Sequence, residues 1–172
     1  MVKFKMINLI FSSKYPIRII GPSGSGKSTY LSNFSQQMYK EKKYSISFQQ
    51  QNGTLFEENL NNYFEIFNIK KSDLFNQAIE ELGLEEVFKN GRLNVEKNTS
   101  GGERSRLSFL RTLFSDADIY IFDEPTSGVH YKISLKMWKM IELHAKSKKI
   151  IFTSHDKVPI NFTELKLKEH EY

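Results

Sequence analysis

Residues 18–31 read RIIGPSGSGKSTYL. Ile17 to Ile20 is a short, mostly apolar and β-branched run, the composition of a buried parallel strand. Gly21, Gly24 and Gly26 follow, and Ser28 to Met38 continues as a helix former. Strand, G-x-x-x-x-G-K-[ST] and helix occur in that order, with Gly21, Gly26, Lys27 and Ser28 at the fixed positions. Glycines let successive backbone N–H groups turn toward one anion, and the helix start adds its positive dipole end. Lys27 supplies a point charge for the β- and γ-phosphates, and the Ser28 hydroxyl an oxygen ligand for Mg²⁺. Gly21, Pro22, Ser23, Gly24, Ser25, Gly26, Lys27, Ser28 and Thr29 are therefore expected to bind a nucleoside triphosphate.

The rest of the composition narrows the classes. A chain of 172 residues is expected to form one domain, long enough to bury a sizeable core. It has no cysteine, which excludes disulfides, thiolate metal sites and cysteine nucleophiles. The apolar run MINLIF (6–11) is broken by Asn8 and is far shorter than the ~20 residues that span a bilayer. No small-residue cleavage site follows it, so the expected compartment is the cytoplasm. The net charge of +5 comes largely from KEKK (40–43), KK (70–71) and KSKK (146–149). Without interleaved aromatics these read as solvated faces, and nucleic acid is not expected as a partner.

Strands are expected at 17–20, 44–48, 118–125 and 148–155, and helices at 28–40, 102–114 and 131–147. The stretch 57–88 reads as largely helical. Alternating strands and helices, with polar residues at strand carboxyl ends, predict an open α/β sheet that binds ligand at that edge.

The segment NTSGGERSRLSFLRTLFSDADIYIFDEPTSG (98–128) makes the reading specific. It resembles the ATP-binding cassette (ABC) ATPases. Their LSGGQ signature is matched by Thr99-Ser100-Gly101-Gly102-Glu103, and their Walker B strand by Ile119 to Asp123, followed by Glu124. Their switch histidine is matched by His155 after IIFTS, and their Q-loop glutamine by Gln51, with Gln50 a close competitor. The resemblance implies an α/β P-loop NTPase fold with a mostly parallel core sheet, a helical signature lobe and a reduced antiparallel β-subdomain. In domain terms it implies a single unit over 1–172, with residues 1–50 and 115–172 as core and 51–114 as lobe. It also implies ATP hydrolysis with Mg²⁺, the metal held through Ser28, Asp123 and Gln51. Lys27, Glu124, His155 and Gln51 would be catalytic: Glu124 as general base, His155 at the γ-phosphate, and Gln51 linking the site to the lobe. Ser100, Gly101, Gly102 and Glu103 would cap the γ-phosphate of a partner subunit, giving a head-to-tail dimer with two ATP molecules.

The implied partners are a second cassette and a transmembrane domain protein on another chain, at the cytoplasmic face of the membrane. LFEENL (55–60), VEKNTSGGE (95–103) and DEPTSG lean toward an exporter cassette. SHDK (154–157), SGGERSRL and the net charge support the alternatives, a soluble cassette acting on nucleic acid or ribosomes. A regulatory module that dimerises on ATP is a further alternative. The sequence also departs from the family pattern. Few residues precede Gly21, so the residue that stacks on adenine is unassigned; Phe4, Phe11 and Tyr15 are the candidates, and each reads equally well as core. The spacing from Lys27 to Gln51 is short, and the segment after His155 looks trimmed. His130 stands where the D-loop usually ends in aspartate. A compact cassette with relaxed nucleotide choice is the resulting expectation.

Overall fold

β1 (Ile17–Ile20), β2 (Ile46–Gln49), β3 (Ile119–Asp123) and β4 (Lys149–Thr153) are rich in Ile and Phe, residues that fill a sheet covered on both faces. A fifth strand, β5 (Thr163–Lys166), is more polar and lies at an edge. The computed structural model describes residues 2–51, 64–69, 72–89 and 99–167, with side chains from Met6 onward. Its five strands form one sheet in the order β2-β3-β4-β1-β5, every pair parallel.

Parallel neighbours require crossovers. Helix α1 (Val2–Ser12) precedes β1, and α2 (Lys27–Glu41) joins β1 to β2. Between β2 and β3 lie α3 (Asp73–Glu81), α4 (Glu85–Lys89) and α5 (Gly101–Phe114), and α6 (Tyr131–His144) joins β3 to β4. The buried residues of α2 include Lys27, Tyr30, Leu31, Phe34 and Met38, the three-and-four spacing of a helix laid on a sheet. Strand alternation then divides the interior in two. Ile119 and Ile121 join Ile17, Ile19 and Ile151 against α1 and α2. Tyr120 and Phe122 join Phe152, Trp138, Phe109 and Phe75 on the side of α3, α5 and α6. There the Trp138 and Phe152 rings meet edge to face at 5.1 Å.

Several expectations shift. β2 starts at Ile46 rather than residue 44, because Ser45 is held by Asp118: its N–H and its hydroxyl each donate to Asp118 Oδ2 at 2.8 Å. α1 and β5 were not expected. β5 pairs with β1 over its whole length, so the chain after His155 completes the sheet. No antiparallel strand pair occurs among the described residues, so the reduced antiparallel β-subdomain contributes none there. Instead Lys42, at φ 52°, closes α2 and the chain passes directly into β2. LFEENL (55–60) and residues 95–98 of VEKNTSGGE lie outside the described residues.

Candidate active site

Parallel strands put their carboxyl ends on one edge, and the exits of β1, β3 and β4 carry the residues singled out by the sequence. After β1 the chain turns through Gly24 and Gly26, at φ 74° and 76°, where a side chain would be strained. Gly26 is the N-cap of α2 and offers no side-chain bond to the helix start. The first-turn N–H groups are therefore left for an anion. A Cβ on Gly21 would come within 2.7 Å of Ser25 Oγ, so the loop is closed tightly here. Ser25 Oγ is itself buried without a hydrogen-bond partner. Lys27 is buried, and its Nζ donates to the carbonyls of Gly21 at 2.9 Å and Pro22 at 2.7 Å, bracing the loop. Ser28 and Thr29 are exposed on the first turn of α2.

The acidic pair sits at the end of β3. Asp123 is buried and accepts a 2.6 Å hydrogen bond from Thr153 Oγ1 on the neighbouring strand. The same hydroxyl accepts from the Glu124 N–H at 3.0 Å. Glu124 has φ 51°, a left-handed conformation uncommon for a residue with a Cβ, and it is buried. Its Oε2 accepts from the His155 backbone N–H at 3.0 Å. Its Oε1 is buried without a hydrogen-bond partner and lies 3.6 Å from His155 Nε2. The His155 ring is 57% exposed, so it lines the edge rather than the core.

The signature opens α5. Ser100 is the N-cap: its Oγ accepts from Glu103 N at 3.2 Å, while Glu103 Oε2 accepts from Ser100 N at 2.7 Å, a reciprocal capping box. The Ser100 backbone N–H first, and then the Ser100 side chain, hold the Glu103 carboxyl below its usual range. A Cβ on Gly102 would stand 3.3 Å from the Gly128 carbonyl, and Ser105 Oγ donates to the Pro125 carbonyl at 3.3 Å. The start of α5 thus packs on the loop that leaves Glu124. His130 caps α6, its Nδ1 accepting from Lys132 N at 3.4 Å, which gives it a local structural role at this position.

Gln51 lies in an exposed turn after β2, and Gln50 beside it is exposed as well. The buried glutamine is Gln49, at the last position of β2, whose Nε2 donates to the Ser105 carbonyl at 3.2 Å. Arg111 of α5 reaches the Phe48 carbonyl at 2.9 Å. β2 and α5 are therefore joined by side chains that no motif reveals. Two adenine candidates fall at the wrong edge. Phe11 packs on Tyr44 at 4.8 Å, and its carbonyl accepts from Lys149 Nζ at the start of β4. Tyr15 precedes β1 and is separated from Gly21 by the full strand, roughly 13 Å. Phe11 packs on an aromatic neighbour at the amino edge, and the exposed Tyr15 ring lies under the Lys14 ammonium, 5.4 Å from its centre. The side chain of Phe4 lies outside the described residues.

The profile of the family described as ABC transporter matches residues 4–127. The chain belongs to that family. Its nucleotide-binding domains are P-loop ATPases, and the parallel sheet and phosphate loop seen here have that fold. The zinc import ATP-binding protein ZnuC of Haemophilus influenzae is 26% identical over 183 residues, covering 91% of this chain and 66% of ZnuC. A probable multidrug resistance-associated protein of Drosophila melanogaster is 25% identical over 166 residues, covering 87% of this chain and 12% of that protein. A crystal structure of an archaeal ribosome recycling factor bound to a ribosomal stalk protein superposes with a TM-score of 0.69 at 22% identity, over 83% of this chain and 29% of that one. The cassette thus spans about two thirds of the first of these relatives and a small part of the second. No described helix is long and apolar enough to cross a membrane.

Proposed function

We propose that this cassette hydrolyses Mg²⁺-bound ATP as one half of a head-to-tail pair and drives a membrane protein on another polypeptide. The observation that carries the reading is the setting of Glu124. One carboxylate oxygen is fixed by the His155 N–H, and the other is buried, unpartnered and 3.6 Å from the His155 ring. A carboxylate held by one oxygen, with the second available, is placed to take the proton of an attacking water.

Each remaining group has a matching task. The left-handed Gly24 and Gly26 and the uncapped start of α2 hold the β- and γ-phosphates. Lys27 leaves the Gly21 and Pro22 carbonyls to neutralise charge on them. The residues present suit Mg²⁺. Ser28 and Asp123 offer hard oxygens of the kind Mg²⁺ takes. A cation shared between substrate phosphates and one or two protein oxygens matches that donor set. When bound, it screens the charge that builds on the phosphates. Gln51, in the exposed turn between β2 and the helical lobe (51–114), links the site to that lobe. Ser100, Gly101, Gly102 and Glu103 face the γ-phosphate of the partner subunit, where α5 presents the Gly101 and Gly102 N–H groups while the capping box takes those of Ser100 and Glu103.

On direction, the wording of LFEENL and VEKNTSGGE supports export, while one relative is named for zinc import. A peripheral location at the cytoplasmic face of the membrane follows from the same reading. Phosphate release with Mg-ATP tests the chemistry. The account expects turnover in the unsubstituted chain and its loss in Glu124→Gln and Lys27→Ala, with nucleotide still bound by Glu124→Gln. Undiminished turnover in Glu124→Gln would remove Glu124 as the base.

A further inference from the structure

Strand β1 should be apolar on both faces, since helices cover both sides of the sheet. Ile17 and Ile19 face α1 and α2. Arg18 faces the other side, between β4 and β5, where its register partners are Phe152 and Glu164. A guanidinium half-buried in a central strand carries a desolvation cost that an isoleucine would not. Its contacts show what that cost sustains. The Arg18 guanidinium lies 5.2 Å from the centre of the Phe162 ring. Its Nη2 donates to the Ser154 carbonyl at 2.9 Å and to the Asp156 carbonyl at 3.3 Å. Those two carbonyls flank His155. The Ser154 carbonyl belongs to the same peptide group as the His155 N–H that fixes Glu124 Oε2.

We propose that Arg18 is a positioning residue for hydrolysis, gripping the backbone on both sides of His155 and thereby setting the Glu124 carboxylate. The proposal rests on Glu124 being the general base. Two further bonds brace the same loop: the Asp156 N–H donates to Ser154 Oγ at 3.1 Å, and Thr126 Oγ1 donates to Asp156 Oδ2 at 3.4 Å. Neither grips the carbonyls that Arg18 holds. Without Arg18 those carbonyls lose their side-chain donor and the 154–156 segment relaxes. Because Arg18 acts on the base and not on the phosphate loop, its removal affects the chemical step and leaves nucleotide affinity alone.

The test compares Arg18→Met, which keeps an unbranched apolar side chain without the donor, with Arg18→Lys, which restores a charged donor. Steady-state hydrolysis, equilibrium binding of Mg-ATP and amide exchange at His155 are measured below the unfolding temperature of each variant. Arg18→Met is expected to lower kcat ~10-fold or more with KM and Kd within about twofold, because a small misplacement of a catalytic group is costly. His155 amide exchange is expected to rise in parallel, and Arg18→Lys to recover part of both. In a Glu124→Gln background, Arg18→Met is expected to change residual turnover little, since the two act as a unit. A kcat within twofold of the unsubstituted chain and unchanged His155 exchange would overturn the proposal. Equal loss in both Glu124 backgrounds would also overturn it, showing a general structural role. Absence of turnover in the unsubstituted chain would instead overturn the hydrolytic reading itself, and Arg18's part in catalysis with it.

Discussion

Replacing Thr153 with valine keeps the shape of a fully buried side chain and deletes one hydroxyl. That hydroxyl makes two bonds, a 2.6 Å donation to the Asp123 carboxylate and a 3.0 Å acceptance from the Glu124 N–H. A hydrogen bond to a charged group contributes about 1.5–3 kcal/mol, and a buried amide left without a partner costs about 1–3 kcal/mol. Allowing for relaxation and the gain of a buried methyl, the net loss is about 3 kcal/mol. For a chain of this length that corresponds to a fall in Tm of roughly 6–12 °C. The left-handed turn at Glu124 also loses its anchor, so hydrolysis falls as well. Urea unfolding of the nucleotide-free protein, at constant m-value, measures the first effect. Thr153→Ser, which keeps the hydroxyl, should lie close to the unsubstituted chain. A Thr153→Val loss below about 1 kcal/mol would refute the reasoning, since a bridging buried hydroxyl cannot be that dispensable.

Three other perturbations test separate parts of the structure. The Glu103 carboxyl is held below its usual 4.5 by its bonds to Ser100. Its stabilisation is therefore present above pH 4.5 and lost as pH falls through the lower folded value. Glu103→Gln should flatten the acid limb of a stability–pH curve, and an unchanged limb would count against the capping box. His144 is half-buried against Tyr120, with Nε2 unpartnered, and burial, then the Lys148 charge, pushes it below its usual 6.5. The unfolded chain takes up that proton first, so stability should fall as pH drops below 6.5. His144→Phe should remove that slope in urea midpoints between pH 7.5 and 5.5. With Phe11 and Tyr15 at the far edge, the account leaves recognition to the phosphates, and GTP is expected to turn over within about tenfold of ATP. A larger gap would show a base-reading contact.

The residue pattern of Gly21 to Ser28 made the strand, turn and helix around it legible, whereas Asp123, Glu124 and His155 were singled out by their resemblance to family motifs. The buried strands were legible from their β-branched and aromatic runs. Other features depend on partners distant in sequence. Thr153 and Arg18 matter through neighbouring strands, and nothing in FTS or RII announces a hydrogen bond to residue 123 or 154. Gln49 differs from Gln50 and Gln51 only in being the last strand residue, which fixes its burial against α5. β5 reads TELK, polar enough to pass for a loop until β1 supplies a parallel edge. α1 escaped because MINLIF was weighed as a membrane or signal segment, whereas its Met6 and Ile10 pack on the sheet. His130 departs from the family pattern, and the cap it provides to α6 is a local requirement invisible in a motif comparison.

The central claim is a two-ATP pair in which Ser100 and its neighbours complete the site formed by Lys27 and Glu124 of the other copy. The solution mass of Glu124→Gln, measured with and without Mg-ATP, tests it most directly. Blocking the base while keeping the phosphate loop should trap the pair, and the account predicts a monomer without nucleotide and a dimer with it. A monomer under both conditions, with ATP bound, would contradict the account.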